Sequence, residues 1–264
     1  MKKLTQKLQE IKNRKQPGYM MHIVAGYPDM ESSKLLAKEI LNSGADILEI
    51  QIPFSDPVAD GPVIANANEQ ALRKGTSVTE SLELIQHLAQ TTDAPILIMT
   101  YFNIVHHFGI AAFAEKAREI GVQGLIIPDY PFDEDPGNLL IDACNEKDLA
   151  FIQVLASTTR PERMVEILKQ GSGFVYCMAR TGTTGKKTLI NAETVTYLSR
   201  VKAASRLPMA VGFGLSERIQ VNALKPYADI MVVGSALINE YADKPLEEGL
   251  IAVGEFMGRF TGDQ

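Results

Sequence analysis

Short apolar runs alternate with amphipathic segments along almost the whole chain. Near-continuous apolar runs are typical of parallel strands that are covered on both faces. The pattern therefore predicts strands over residues 19–25, 46–52, 95–101, 124–129, 150–156, 173–179, 208–214 and 228–234.

The segments between these runs carry helix start and stop signals. Asp29 is a suitable N-cap for a helix that ends near Gly44, and Thr159 is expected to open another helix that stops at Gly171. The first fifteen residues lack the apolar core of a signal peptide. Their apolar side chains recur at helical spacing, which predicts a short amphipathic helix: Leu4, Leu8 and Ile11.

A repeated strand-plus-helix unit without any linker-like composition predicts an α/β fold, a single (β/α)₈ TIM barrel with a short N-terminal helix. We expect residues 1–264 to form one domain. The main alternative is an open doubly wound sheet, which usually carries G-x-G-x-x-G after its first strand. The segment AGYPDMES at that place has no such fingerprint.

Side chains of the second predicted strand alternate between two faces. One face is wholly apolar and is expected to meet the helices: Leu48, Ile50 and Ile52. The other face carries Glu49 and Gln51, which should point into the barrel near its carboxyl end, where barrel enzymes place active-site groups. No predicted strand contains lysine or arginine, so an enclosed Glu49 is a candidate for proton exchange near neutral pH. The alternative is a strand-end carboxylate that meets water or a salt bridge.

The loop that follows, PFSDPVADGP, is stiffened by three prolines. We interpret Asp56, which lies between Ser55 and Pro57, as a residue that fixes the loop through local hydrogen bonds. The same interpretation is open for Asp60 beside Gly61. Two carboxylates at one barrel mouth, however, would make a usable acid–base pair.

Glycines follow the last two predicted strands: Gly212 and Gly214 in VGFGLS, and Gly234 ahead of Ser235 in VVGSA. Barrels often bind phosphate in these two loops, where glycine lets the ligand approach backbone N–H groups. Both pairs together predict a phosphate site.

The segment 180–188, RTGTTGKKT, follows the sixth predicted strand and is long and polar. We consider two interpretations equally: a lid that closes on the same phosphate with Thr184 and Gly185, and an ordinary surface loop.

Composition narrows the function classes. The net charge of −6 with interspersed signs disfavours a nucleic-acid surface, and no apolar stretch is long enough for a membrane span. The two cysteines fit no metal spacing and favour a reducing compartment. We therefore expect a soluble, cytoplasmic protein. The scattered histidines predict no metal centre, and the lack of strand lysines disfavours Schiff-base chemistry.

At this point a family resemblance adds to the residue patterns. The segment LEIQIPFSDPVADGPVIANAN closely resembles the signature of the tryptophan synthase α subunit family. Less specific matches occur in the same order over essentially the whole chain: AGYPD, MTYFN, GLIIPD, ARTGTTG, VGFG and VVGSA.

The resemblance implies a carbon–carbon lyase of tryptophan biosynthesis that cleaves indole-3-glycerol phosphate to indole and glyceraldehyde 3-phosphate. It implies that Glu49 is the general acid/base and that Asp60 stabilises the charge that develops at the indole N–H. It assigns phosphate binding to Gly185, Gly214, Gly234 and Ser235, and it assigns pocket lining or closure to Tyr176, Thr184 and Phe213.

The resemblance also implies a partner. Proteins of this family pair with a β subunit in an α₂β₂ complex, and pyridoxal phosphate belongs to that β subunit, so no cofactor is expected in this chain. Our candidates for the contact surface are the loop 53–62 and the segment 101–108, because both should emerge at the catalytic rim.

Two positions depart from the family pattern. Gln51 stands where the family normally has glycine, and Tyr27 where an acidic residue is common. Gln51 is expected to occupy space meant for the indole ring or to hydrogen-bond Glu49. Three hypotheses follow: a competent lyase, a weakly or non-catalytic α-type subunit that activates a β partner, and another phosphate-binding barrel enzyme.

Overall fold

The computed structural model describes residues 1–130, 138–178, 191–212 and 214–262. Its strands all lie within the predicted apolar runs or one residue outside them. They are β1 (Gly18–Val24), β2 (Ile47–Gln51), β3 (Ile96–Met99), β4 (Gly124–Ile126), β5 (Ala150–Ala156), β6 (Val175–Met178), β7 (Met209–Gly212) and β8 (Ile230–Val233).

These strands form a closed parallel barrel in chain order, and β1 also pairs with β8. In the β1–β2 ladder Met20 lies opposite Ile47 and His22 lies opposite Glu49. The predicted (β/α)₈ barrel is confirmed, and the open doubly wound sheet is excluded because the sheet has no free edge.

Helices surround the barrel in the described part of the chain. They are α1 (Lys2–Asn13), α2 (Met30–Asn42), α3 (Pro62–Arg73), α4 (Val78–Thr91), α5 (Phe102–Phe108), α6 (Ile110–Glu119), α7 (Leu139–Glu146), α8 (Pro161–Gln170), α9 (Ala192–Ala204), α10 (Arg218–Leu224), α11 (Ser235–Tyr241) and α12 (Leu246–Thr261).

Local signals account for the helix ends in part. Asp29 caps α2 as predicted, because its carboxylate accepts a hydrogen bond from the Ser32 backbone N–H. The predicted role of Thr159 is wrong. Arg160 occupies the N-cap of α8, and the Thr159 hydroxyl instead accepts a bond from the Ala156 backbone N–H at the end of β5.

The core has two layers. Side chains on the outer strand faces pack under the helices, among them Leu48, Ile50 and Ile52. Side chains on the inner faces fill the barrel, among them Met20, Ile47, Leu97, Ile152 and Ile230. The inner layer also includes Leu4 and Ile11 of α1, so the predicted N-terminal helix closes the amino end of the barrel. The carboxyl end is left as the place for a site.

Candidate active site

The second strand places Glu49 and Gln51 inside the barrel. Ile47, two residues before Glu49, belongs to the inner layer, whereas Leu48 and Ile50 belong to the outer one. Glu49 is 2% exposed and Gln51 is fully buried. The face assignment from strand alternation is therefore confirmed.

His22 of β1 lies beside Glu49. The two residues are register partners in the β1–β2 ladder, and the His22 Nδ1 atom lies 3.4 Å from Oε2 of Glu49. This distance is that of an ion pair when the imidazole is protonated, and it is too long for a strong hydrogen bond. Glu49 Oε2 is buried and hydrogen-bonds to no side chain or backbone group in the described ranges.

Asp60 reaches the same end of the barrel from the loop after β2. Its Oδ2 atom accepts hydrogen bonds from Gln51 Nε2 at 2.7 Å and from the Tyr101 hydroxyl at 2.9 Å. The Tyr101 oxygen in turn accepts a bond from the Ala59 backbone N–H at 3.1 Å. Asp60 is therefore held by a fixed network and is not an ordinary turn residue.

Aromatic packing supports this loop. The Phe54 ring stacks on the Tyr101 ring, with ring centroids 5.2 Å apart. Asn68 of α3 accepts a hydrogen bond from the Phe54 backbone N–H and donates to the Ile64 carbonyl. Asp56, by contrast, accepts a bond from the Ser55 hydroxyl and is exposed. The prediction that Asp56 fixes the loop locally is confirmed.

The electrostatics follow from this arrangement. Burial lowers the pKa of His22, but the charges of Glu49 and Asp60 raise it by more, so that its pKa lies above the ordinary histidine value. Burial raises the pKa of Asp60, although His22 and the hydrogen bonds from Gln51 and Tyr101 oppose that shift. Burial and the Asp60 charge raise the pKa of Tyr101 far enough to keep the phenol protonated as a donor.

Tyr176 of β6 lies among the inner-layer side chains, as its predicted place in the pocket requires. Burial and the charges of Glu49 and Asp60 raise the pKa of Tyr176 well above its ordinary value. A methyl group added at Gly212 would lie 2.7 Å from the Tyr176 hydroxyl oxygen. Glycine at position 212 therefore makes room for this ring.

Three of the predicted phosphate positions, Gly214, Gly234 and Ser235, follow β7 and β8 at the same end of the barrel. Gly234 is the residue between β8 and α11, and Ser235 begins that helix. Gly214 has φ +63°, a conformation that favours glycine. The predictions for Thr184, Gly185 and Phe213 concern positions outside the described residues.

No three His, Cys, Asp or Glu side chains in the described ranges cluster so that they would hold a metal ion. The helices described contain none that is long and apolar enough to span a bilayer.

Comparison with known proteins decides the family. The family model for tryptophan synthase alpha chain matches residues 8–257, which include the barrel strands and the Glu49–Asp60 site. The chain belongs to the tryptophan synthase alpha chain family.

Relatives in other organisms agree with this assignment. The tryptophan synthase alpha chain of Desulforapulum autotrophicum is 40% identical over 250 residues, which cover 95% of this chain and 96% of the relative. That of Syntrophotalea carbinolica is 42% identical over 230 residues, covering 87% and 88% of the two chains. A structure of Mycobacterium tuberculosis tryptophan synthase superposes with a TM-score of 0.87 at 32% identity, over 97% of this chain and 96% of the other.

The family predicted from the sequence is thus confirmed. It is a family of carbon–carbon lyases whose reaction is the cleavage of indole-3-glycerol phosphate. Membership of the tryptophan synthase alpha chain family argues against the third hypothesis, a barrel enzyme with an unrelated substrate.

The structure answers one question about the departures from the family pattern. We expected Gln51 to fill the indole space or to hydrogen-bond Glu49. Its amide instead donates a hydrogen bond to Asp60, the second carboxylate. Tyr27 is buried, and its ring packs against that of Tyr241, with centroids 5.9 Å apart.

Sequence reasoning missed His22 and Tyr101. It considered only lysine and arginine as partners for Glu49, and it assigned Tyr101 to a surface segment although Tyr101 is fully buried. The inward parity that His22 shares with Met20 in β1 was the available signal for His22. No comparable pattern pointed to Tyr101.

Proposed function

We propose that this chain cleaves indole-3-glycerol phosphate to indole and glyceraldehyde 3-phosphate, with Glu49 as the general acid/base. Glu49 protonates the indole ring carbon that bears the side chain, and it accepts the side-chain hydroxyl proton as the carbon–carbon bond breaks. The observation that supports this role is a carboxylate inside the barrel, 2% exposed, whose Oε2 hydrogen-bonds to no described residue.

Asp60 is the second carboxylate of the proposed mechanism. The hydrogen bonds that it accepts from Gln51 and Tyr101 both go to Oδ2. Oδ1 is then the oxygen that faces the indole N–H and stabilises the positive charge that protonation of the ring creates. Tyr101 and Gln51 position this carboxylate before substrate arrives.

We assign the phosphate of the substrate to Gly185, Gly214, Gly234 and Ser235, and the lining or closure of the pocket to Tyr176, Thr184 and Phe213. The arrangement that supports this assignment is the position of Gly234 next to His22, at the end of the strand that pairs with β1. The indole ring then lies between Glu49 and Asp60, and the phosphate lies toward β7 and β8.

The biological setting of the proposal follows the family. The chain acts as one domain, residues 1–264, in the cytoplasm within an α₂β₂ complex. It needs no cofactor of its own, because pyridoxal phosphate belongs to the β subunit. Val58, 79% exposed at the tip of the loop that carries Asp60, is a suitable contact for that partner.

One observation favours a second candidate function. Gln51 already donates to Asp60, and its own Oε1 is buried without a hydrogen bond in the described chain. If the Gln51 side chain fills the space for the indole ring, the chain is a weakly catalytic α-type subunit that activates its β partner.

Indole release from indole-3-glycerol phosphate, measured with and without a β subunit, tests the proposal. We expect release in both conditions. We expect Gln51→Gly to lower turnover by about tenfold, because a charge-assisted hydrogen bond to Asp60 is lost. A silent wild-type chain that stimulates the β subunit, together with a gain of activity in Gln51→Gly, would establish the second candidate instead.

A further inference from the structure

Three neighbouring strands bring Glu49, His22 and Gly234 into one row across the barrel wall. His22 lies opposite Glu49 in the β1–β2 ladder. On its other side, Met21 pairs with Val233 in the β1–β8 ladder, so Gly234 follows as the next neighbour of His22. The imidazole therefore stands between the proposed acid/base and the proposed phosphate end of the site.

The two ring nitrogens of His22 have different surroundings. Nδ1 lies 3.4 Å from the Glu49 carboxylate. Nε2 is buried and has no hydrogen-bond partner among the residues described, and the whole residue is 5% exposed. Buried polar atoms in folded proteins nearly always have a partner, so an orphan donor beside a substrate site is available to bind a ligand.

The side of His22 that carries Cβ and Cδ2 faces Gly234. A methyl group added at Gly234 would lie 3.4 Å from His22 Cβ and 3.5 Å from His22 Cδ2, the ring atom bonded to Nε2. Because Gly234 has no side chain, no Cβ atom crowds this side of the imidazole, which Ile64 Cδ1 also borders.

We propose that His22 connects the two ends of the substrate site: Nδ1–H positions the Glu49 carboxylate, and Nε2–H donates to an oxygen of the phosphate-bearing side chain of the substrate. This inference rests on the proposed function, since it assumes a substrate that carries an anionic phosphate next to its reacting carbon.

Charge around His22 agrees with both roles. The ionisable groups that face it are Glu49 on β2 and Asp60 in the following loop. The neutral Gln51 side chain also raises the pKa of His22. Burial alone would lower the pKa of His22, but these carboxylates raise it above its ordinary value. Only a protonated imidazole donates from both nitrogens at once.

Two substitutions separate the two nitrogens. In His22→Asn the amide takes the place of Nδ1 and leaves nothing at the position of Nε2. In His22→Gln the amide reaches the position of Nε2 and leaves Glu49 without its donor. We expect His22→Asn to weaken the binding of glycerol 3-phosphate, measured by calorimetry, by about tenfold, and His22→Gln to weaken it clearly less.

Turnover supplies the complementary measurement. We expect His22→Asn to act mainly on KM. We expect His22→Gln to act mainly on kcat and to move the pH profile of kcat, because Glu49 loses its charged neighbour. Urea unfolding of both variants serves as the control that each is folded at the assay temperature. Equal losses in the two variants on binding and on kcat alike would indicate a purely structural role and overturn the proposal.

The binding experiment remains decisive if the lyase activity itself is absent. A wild-type chain that binds glycerol 3-phosphate but releases no indole would contradict the proposed function, whereas the difference between the Asn and Gln variants would still support His22. Glycerol 3-phosphate affinity that is the same in the wild type and both variants would overturn the role of His22 and leave the proposed function standing.

Discussion

One buried carboxylate lies just before strand β2 and another lies at the centre of the strand, and the two have opposite environments. Asp46, just before the strand, is 6% exposed and accepts hydrogen bonds from both Nη atoms of Arg14 and from the Tyr19 backbone N–H at 2.9 Å. Glu49, three residues later, is 2% exposed, and among the described residues its Oε2 has no hydrogen bond and lies 3.4 Å from the His22 ring. Asp46 thus has a full set of donors, whereas Glu49 Oε2 has none in the described chain.

The comparison shows how burial can be separated from function. A buried carboxylate with a full set of donors is a structural element, and a ligand has nothing to offer it. A buried carboxylate that lacks donors costs stability in the free protein and keeps its capacity for chemistry. Two neighbours of Glu49 also carry orphan atoms, His22 Nε2 and Gln51 Oε1, so unsatisfied polar atoms cluster around this carboxylate.

The largest expected effect is that of Glu49→Gln. Turnover should fall by about 10²–10⁴, as for the loss of a general acid/base. Stability should change little above the folded pKa of His22, where the amide replaces a buried carboxylate beside a neutral imidazole, and it should fall at lower pH, where His22 loses its charged partner. Indole release and urea unfolding of the same preparation measure both quantities. Near-normal turnover would remove Glu49 from the mechanism.

Asp46→Asn should produce the opposite result. The amide cannot serve the Arg14 guanidinium and the Tyr19 N–H equally well, so the free energy of unfolding should drop by roughly 1–3 kcal/mol. A larger loss is not expected, because the Arg14 side chain is 37% exposed and water partly replaces the lost partner. Turnover per folded molecule should not change. A kcat that falls as far as in Glu49→Gln would erase the distinction between the two carboxylates.

The same strand also shows what the sequence can predict. The barrel and the inward face of Glu49 follow from apolar runs and strand alternation, which are local patterns. The contact between His22 and Glu49 depends on the register between β1 and β2, which no local pattern encodes. The sequence showed His22 only as a polar residue in an apolar strand, on the same face of that strand as Met20.

The hydrogen bonds that hold Asp60 were harder to predict from the sequence than the inward face of Glu49. Gln51 and Tyr101 meet Asp60 only after the proline-rich loop has folded back over the barrel mouth. A signature match identified Asp60 as functional but gave no information on which donors hold it. Thr159 illustrates the same limit at a helix start, where a bond to the end of β5 replaced the expected cap.

The smallest expected effect is a pH dependence of stability that comes from His22 beside Glu49 and not from Asp46. The pKa of His22 is raised in the folded protein, so its contribution is fully present below about pH 6.5, the unfolded value, and is lost as the pH rises through the folded pKa. One proton gives a slope of at most about 1.4 kcal/mol per pH unit.

Urea unfolding from pH 6 to 8.5 should show this decline in the wild type and in Asp46→Asn. It should be absent in His22→Asn and weaker in Glu49→Gln, since Glu49 is the main charge that raises the His22 pKa. Parallel curves for the wild type and His22→Asn would mean that the imidazole does not carry its extra proton in the folded state, and the contrast between Asp46 and Glu49 would then rest on hydrogen bonds alone.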